Sequence, residues 1–124
     1  MLSKENKELL SLIAQNGAIT AENSADMMLK EKPEADLAGV YSMRDSFLAI
    51  KDKIEADEPL TRLEWVHLWT GAQVTKAIHV KNIEKWSAVV FEYENNLIPK
   101  LFEISKAENH EELVDKYFSE NLTT

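Results

Sequence analysis

Residues 61–80 read TRLEWVHLWTGAQVTKAIHV, and this stretch decides the predicted fold. It opens on a capping box, because the side chains of Thr61 and Glu64 can each accept a hydrogen bond from a backbone N–H that the first helical turn leaves free. We therefore predict a helix from Arg62 to about Ile78. The rest of the chain alternates helical and cap signals with little evidence for strands, which favours an all-α protein.

The predicted helix is apolar on two opposite sides. At about 100° per residue, one side carries Trp65, Leu68, Trp69 and Ala72. The other side carries Leu63, Val66, Thr70, Val74 and Ala77. Such a helix is either buried on both sides, as the centre of a bundle, or buried on one side and free to bind a partner on the other. Because Trp is enriched among binding hot spots, we predict Trp65, Leu68, Trp69 and Ala72 as a partner-binding face if that side is exposed.

Three helical segments are predicted before residue 61. The first begins after a Ser3 cap and ends at Gly17, because glycine readily takes the left-handed conformation that often terminates a helix. The second covers residues 21–30 and the third about residues 34–54. In the third helix, apolar residues repeat at steps of three and four and predict one buried face: Val40, Met43, Phe47, Ile50 and Ile54.

Two further helices are predicted directly after residue 80. Apolar residues between Ile83 and Leu97 again step by three and four, which favours a helix, although the β-branched and aromatic run at 88–91 leaves a short strand as the alternative. The Asn96 cap signal followed by Pro99 predicts a break and a new helix that ends near Lys106.

The C-terminal part and the chain length complete the predicted domain. A cap-like start at Asn109 predicts a last helix, and residues 120–124 are expected to fray. At 124 residues, the chain fits one domain and can bury roughly two-thirds of its unfolded surface, so it needs no disulfide or metal. We predict a single helical domain over residues 1–124, a compact bundle of five or six helices.

The composition excludes several classes of site. The chain has no Cys, which rules out a thiolate zinc site, an iron–sulfur cluster and a cysteine nucleophile. Its three glycines are isolated, so no glycine-rich phosphate loop is present. No spacing marks a nucleophile elbow. We expect a non-enzyme with no catalytic residue, no cofactor and no evident small-molecule substrate.

The apolar patterning also bears on the compartment. The N-terminus lacks the apolar region of a secretory signal, and no apolar run approaches the roughly 20 residues of a membrane span. We therefore expect a cytoplasmic protein with no membrane partner.

Glu64 and His67 are the one pair with metal-ligand spacing. Glu-x-x-His is the spacing found in four-helix di-iron sites, but those sites need two such pairs and two more Glu. The other histidines, His79 and His110, lie near a helix end and in a cap region. The set is incomplete, so we predict no metal site.

The charge disfavours nucleic acid as a partner. The chain has 14 Lys and Arg against 22 Asp and Glu, a formal charge of −8, and residues 1–58 alone hold 7 against 12. A negative surface repels phosphate backbones. It suits either simple solubility or a basic partner, and the acidic clusters at 55–58 and 108–115 leave an acidic nucleic-acid-mimic inhibitor as an alternative.

Two segments of the N-terminal half resemble a winged-helix DNA-binding domain. LSLIAQNGAIT, residues 10–20, is similar to a first helix, a glycine stop and a capped second helix. LKEKPEADLAGVY, residues 29–41, is similar to the segment that enters the recognition helix in the ferric uptake regulator family. The resemblance implies a recognition helix that starts at residues 38–41, and a DNA-binding transcriptional regulator as the alternative function.

The favoured function is non-enzymatic protein–protein interaction. We expect a small acidic helical adaptor, regulator or inhibitor that presents a helix face to a protein partner or to a second copy of itself. Its size and lack of enzyme motifs would suit an accessory protein of a phage or mobile element.

Overall fold

The computed structural model describes residues 2–108, which form four helices joined by short connections. They are α1 (Lys4–Glu31), α2 (Ala38–Glu55), α3 (Arg62–Val80) and α4, which consists of three consecutive segments, Ile83–Glu92, a π-helical Tyr93–Leu97 and Ile98–Ala107. No strand occurs among the described residues. The all-α prediction is confirmed, but the count of five or six helices is wrong.

The predicted helix end at Gly17 is one reason for the difference. α1 runs through this position without a break, and no glycine of the described chain has a positive φ. Gly17 instead faces the ring of Phe47 on α2, where an added Cβ would lie 2.9 Å from two ring carbons. The glycine therefore allows two helices to approach closely and does not terminate α1.

The predicted break before Pro99 is the second reason. Proline normally interrupts a helix because its ring clashes with the carbonyl four residues earlier and because it lacks an N–H. Here the preceding turn is π-helical, and the backbone N–H of Ile98 donates to the carbonyl of Tyr93, five residues back. This wider turn carries α4 past the proline. Residues 88–91 are helical, so the strand alternative is not realised.

α1 and α2 form an antiparallel pair, α3 packs against α1, and α4 packs chiefly against α3. Ion pairs join Lys7 to Asp57 and Glu22 to Arg44, which match the start of α1 with the turn after α2 and the second half of α1 with the first half of α2. The α2 backbone lies close to α1 along much of its length and approaches α3 less closely, where single side chains such as Phe47 and Lys53 make the contacts. All four helices contribute to one core: Leu10, Ile13, Ala14, Ile50, Ile54, Trp65, Leu68, Trp69, Ala72, Tyr93, Leu97, Leu101 and Ile104.

The predicted caps at Ser3 and Thr61 are present. The Ser3 side chain accepts a hydrogen bond from the backbone N–H of Asn6, and Thr61 and Glu64 form both bonds of the capping box. Within residues 2–108 no helix is long and apolar enough to cross a membrane. The last predicted helix, from Asn109, and the fraying expected at 120–124 lie outside the described residues.

Candidate functional site

The side of α3 that was predicted to bind a partner lies in the core. Trp65 is 2% exposed and Trp69 is 3% exposed, while Leu68 and Ala72 are completely buried. The Trp69 indole N–H donates to the Ser105 hydroxyl of α4 at 3.1 Å, and the indole meets the ring of Phe102 edge to face. The condition for a binding role was exposure, and these four residues do not meet it because α1 and α4 cover them.

The opposite side of α3 is accessible. Leu63 is 66% exposed, Val66 38% and Val74 46%, and the other two members of this side are exposed as well. We call Leu63, Val66, Thr70, Val74 and Ala77 the outward face of α3. It contains no charged residue, although the chain as a whole carries −8. Its four exposed apolar side chains form one uncharged strip along the helix.

A groove opens beside the outward face, where α1, α2 and α3 meet. Its volume is about 420 Å³, and small or apolar residues form most of its lining, among them Thr20, Gly39, Met43, Phe47, Val74 and Thr75. Phe47 is 3% exposed and lies between Gly17 of α1 and Gly71 of α3. Among residues 2–108, no helix fills the space between α2 and α3 beside this ring.

The groove corrects the predicted buried face of α2. Phe47, Ile50 and Ile54 are buried, as predicted. Met43 is 42% exposed and Val40 is half-buried, because both line the groove and not the core.

A chain of polar side chains runs from the core to the groove. Asn16 donates its amide N–H to the Tyr93 hydroxyl at 3.0 Å, Tyr93 is hydrogen-bonded to Thr75, and the hydroxyls of Thr75 and Thr20 are 3.4 Å apart. Burial raises the pKa of Tyr93, and the hydrogen bonds of Asn16 and Thr75 partly oppose that rise. No sequence motif predicted this run of hydrogen-bonded side chains. Thr75, however, falls on the same side of the helical wheel as Ala72, and a polar residue on that apolar side was a usable signal of a buried hydrogen bond.

Glu64 and His67 serve structure in this arrangement. Glu64 accepts hydrogen bonds from the backbone of Thr61 at 2.8 Å and from the Lys53 ammonium at 2.6 Å. Burial alone would raise the pKa of Glu64, but these bonds outweigh it and lower that pKa. His67 meets the Phe47 ring edge to face.

Within residues 2–108, no further histidine joins this pair. The Nδ1 atom of His79 lies 2.7 Å from the Thr75 carbonyl oxygen, and His110 lies outside the described residues. The described chain holds no cluster of three or more His, Asp or Glu suited to a metal.

The segments that resemble a winged helix adopt a different arrangement. Residues 38–41 begin α2, in agreement with the helix start that the resemblance implied. The first of the two segments, however, lies wholly within α1, so no turn separates a first helix from a second. The basic residue nearest the implied recognition helix, Arg44, is ion-paired with Glu22 and Asp45.

Comparison with known proteins adds no assignment. No protein-family model matches the chain. No curated protein matches it, and no solved structure does.

Proposed function

We propose that the protein is a non-enzymatic interaction protein and that it binds a protein partner through the outward face of α3. The observation that carries this proposal is that the face is exposed and uncharged while the opposite face of the same helix is core. Large apolar side chains aligned on one exposed helix face are a feature of interaction sites.

The chemistry of the partner follows from charge. The face is apolar and uncharged, and the chain as a whole carries a formal charge of −8. A complementary partner would present an apolar helix face and carry a net positive charge, because the negative charge of the whole chain attracts it over a longer range. The DNA-binding and nucleic-acid-mimic alternatives have no comparable supporting observation among residues 2–108, so we do not propose them.

The test places charge on the outward face at two positions that do not line the groove. The double variant Leu63→Glu and Val66→Glu should lose a partner that the unmodified chain captures from its native host, since two carboxylates cannot be buried unpaired in an apolar interface. Met27→Glu is the matched control, because Met27 on α1 is 63% exposed and lies on another helix.

Two measurements accompany the capture. Circular dichroism should give the same helical signal for all three proteins, and sedimentation shows whether the partner is a second copy of the chain. If the double variant retains the same partner and the same oligomeric state as the Met27→Glu control, the outward face is not the binding surface.

A further inference from the structure

The corner between α3 and α4 differs in charge from the rest of the chain. Residues 65–91 contain three lysines and one glutamate, a formal charge of +2, whereas the whole chain carries −8. We call residues 78–86 the α3–α4 corner, which holds Lys81 and Lys85 against Glu84. Neither lysine forms an ion pair within residues 2–108, so both charges are available to a partner.

The same corner exposes large apolar side chains. Ile83 is 46% exposed, and three more are exposed close to it in the chain: Ile78, Val80 and Trp86. The Trp86 ring is held in place, because the His79 ring meets it edge to face at 5.0 Å and the Lys85 ammonium lies 5.0 Å from its centroid. A side chain that is already ordered loses little freedom on binding. Apolar and aromatic groups bordered by charge are typical of interaction sites.

A pocket of opposite charge lies at the other end of α3. We call it the end pocket, and its volume is about 360 Å³. The described residues that line it include no Lys, Arg or His, but three acidic ones: Asp57, Glu58 and Glu108. Its other walls are apolar: Leu2, Ile54, Pro59, Leu60 and Trp65. Asp57 is ion-paired with Lys7 at 3.0 Å, whereas Glu58 and Glu108 form no ion pair within residues 2–108.

The length of α3 keeps the two sites apart within one molecule. α3 has 19 residues and is therefore about 28 Å long. The end pocket includes Leu60 and Trp65 at the start of this helix, and the corner begins at Ile78 near its end. A molecule cannot place its own corner in its own end pocket, so a contact between these sites has to join two copies.

The corner and the end pocket are complementary in chemistry. The corner is a turn between two helices that presents apolar side chains beside two lysines, and the end pocket has apolar walls beside three carboxylates. Surfaces of opposite charge attract each other and fix the register of a contact, while the apolar groups supply burial. Both halves of a complementary interface are therefore present on this one chain.

We propose that the corner of one copy binds in the end pocket of a second copy. Val80 and Ile83 then pack against the apolar walls, and Lys81 and Lys85 lie beside the carboxylates. Such a contact joins two different surfaces, so every pair keeps one unused corner and one unused pocket and can add further copies. The contact uses neither the outward face of α3 nor the partner proposed for that face.

Sedimentation velocity of the full chain tests the self-association. The average mass should rise with protein concentration, because a contact between different surfaces does not stop at two copies. It should fall when the NaCl concentration is raised from about 50 mM to about 500 mM, since salt screens exposed charges.

Two charge reversals test the two sites separately. Lys81→Glu in the corner and Glu58→Lys in the end pocket should each weaken self-association by at least about tenfold, because each brings like charges together at the contact. Lys100→Glu and Glu103→Lys are the matched controls, since they make the same charge changes at exposed positions of α4 outside both sites. The controls should associate as the unmodified chain does, and circular dichroism should give the same helical signal for all of them.

An equimolar mixture of Lys81→Glu and Glu58→Lys tests whether the two sites bind each other. The first variant keeps an unmodified end pocket, and the second keeps an unmodified corner. The mixture should therefore recover the association that each variant lacks alone. A contact between two corners or between two pockets would not give this result, because one of the two variants would then associate by itself.

Three results would overturn the proposal: a chain that is monomeric at all concentrations, equal losses in Lys81→Glu and Lys100→Glu, or a mixture that stays monomeric. A monomeric chain that co-sediments with anionic phospholipid vesicles, and loses this binding in Lys81→Glu, would assign the corner to a lipid surface instead.

The double variant Leu63→Glu and Val66→Glu separates this test from that of the proposed function. Neither residue lines the end pocket or belongs to the corner, so this variant should keep the salt-dependent self-association. Loss of self-association in this variant, with none in Lys81→Glu, would assign the contact between copies to the outward face and contradict the proposal.

Discussion

Gly71 offers a direct test of the packing that forms the groove. In the middle of a helix, Gly→Ala normally stabilises a protein, because Ala is favoured by about 1 kcal/mol over Gly. At Gly71 we expect the opposite. An added Cβ would lie 2.5 Å from Cζ and 2.6 Å from Cε1 of Phe47, and the same ring is confined from the other side by Gly17.

The expected loss follows from two opposing effects. Overpacking a core typically costs about 1–3 kcal/mol. The contact here is far inside the ordinary carbon–carbon separation of about 3.5–4.0 Å, so we expect the upper half of that range. After subtraction of the gain in helix propensity, Gly71→Ala should lower the free energy of unfolding by about 1–2 kcal/mol.

Gly39 provides the matched control. It is also helical, but an added Cβ there meets nothing within 4 Å. Gly39→Ala should therefore raise the free energy of unfolding by about 0.5–1 kcal/mol. Urea denaturation followed by circular dichroism measures both values, and an unchanged m-value shows that the two-state treatment holds.

A double-mutant cycle identifies the cause. Phe47→Leu removes the ring carbons that Gly71→Ala would contact, so the double variant should be more stable than the sum of the two single losses predicts, by at least about 0.5 kcal/mol. If Gly71→Ala stabilises the protein as much as Gly39→Ala does, Phe47 does not lie between the two glycines and the described groove is wrong.

Three further predictions concern the core and its polar groups. Trp69→Ala should cost about 3–5 kcal/mol in urea denaturation, whereas Leu63→Ala on the outward face should stay within about 0.5 kcal/mol; comparable losses would contradict the assignment of the two faces of α3. Tyr93→Phe should cost about 1–2 kcal/mol, since it leaves Asn16 without its acceptor. Because the folded-state pKa of Tyr93 is raised, the unmodified protein should lose stability as the pH rises above about 10, and Tyr93→Phe should lack that part of the loss. Glu64→Gln should cost about 0.5–1 kcal/mol at neutral pH. Since the pKa of Glu64 is lowered, this difference should shrink as the pH falls below the ordinary Glu pKa of about 4.3 and should disappear below the folded-state pKa. A loss of the same size at low pH would show that Lys53 and Thr61 do not stabilise the ionised carboxylate.

Local signals in the sequence predicted much of the helical structure. The capping box at Thr61 and Glu64 placed the start of α3 at the observed residue, because both hydrogen bonds lie within one turn. The steps of three and four placed Phe47, Ile50 and Ile54 on a buried face. The helix ends at Gly17 and before Pro99 were predicted wrongly, because the features that decide them, a ring on another helix and a π-helical turn, are not local sequence signals.

The candidate site, like the fold, was predicted from the sequence only in part. The sequence identified α3 as a helix with two apolar faces, and it named the residues of both. It favoured the tryptophans as the binding face because of their residue type, whereas the structure buries them against α1 and α4. The groove was not predicted at all, because its walls come from three helices whose relative positions no single segment encodes.

The sequence by itself determined that this chain is helical, acidic and without cysteine chemistry, and that α3 has two apolar sides. These properties depend on residue type and on spacing within a few turns, which the chain carries locally. Only the tertiary structure decided which side of α3 is buried and that Phe47 meets Gly17 and Gly71. Both outcomes depend on contacts between residues far apart in the chain, and two faces of similar hydrophobicity are distinguished only by the helices that pack against one of them.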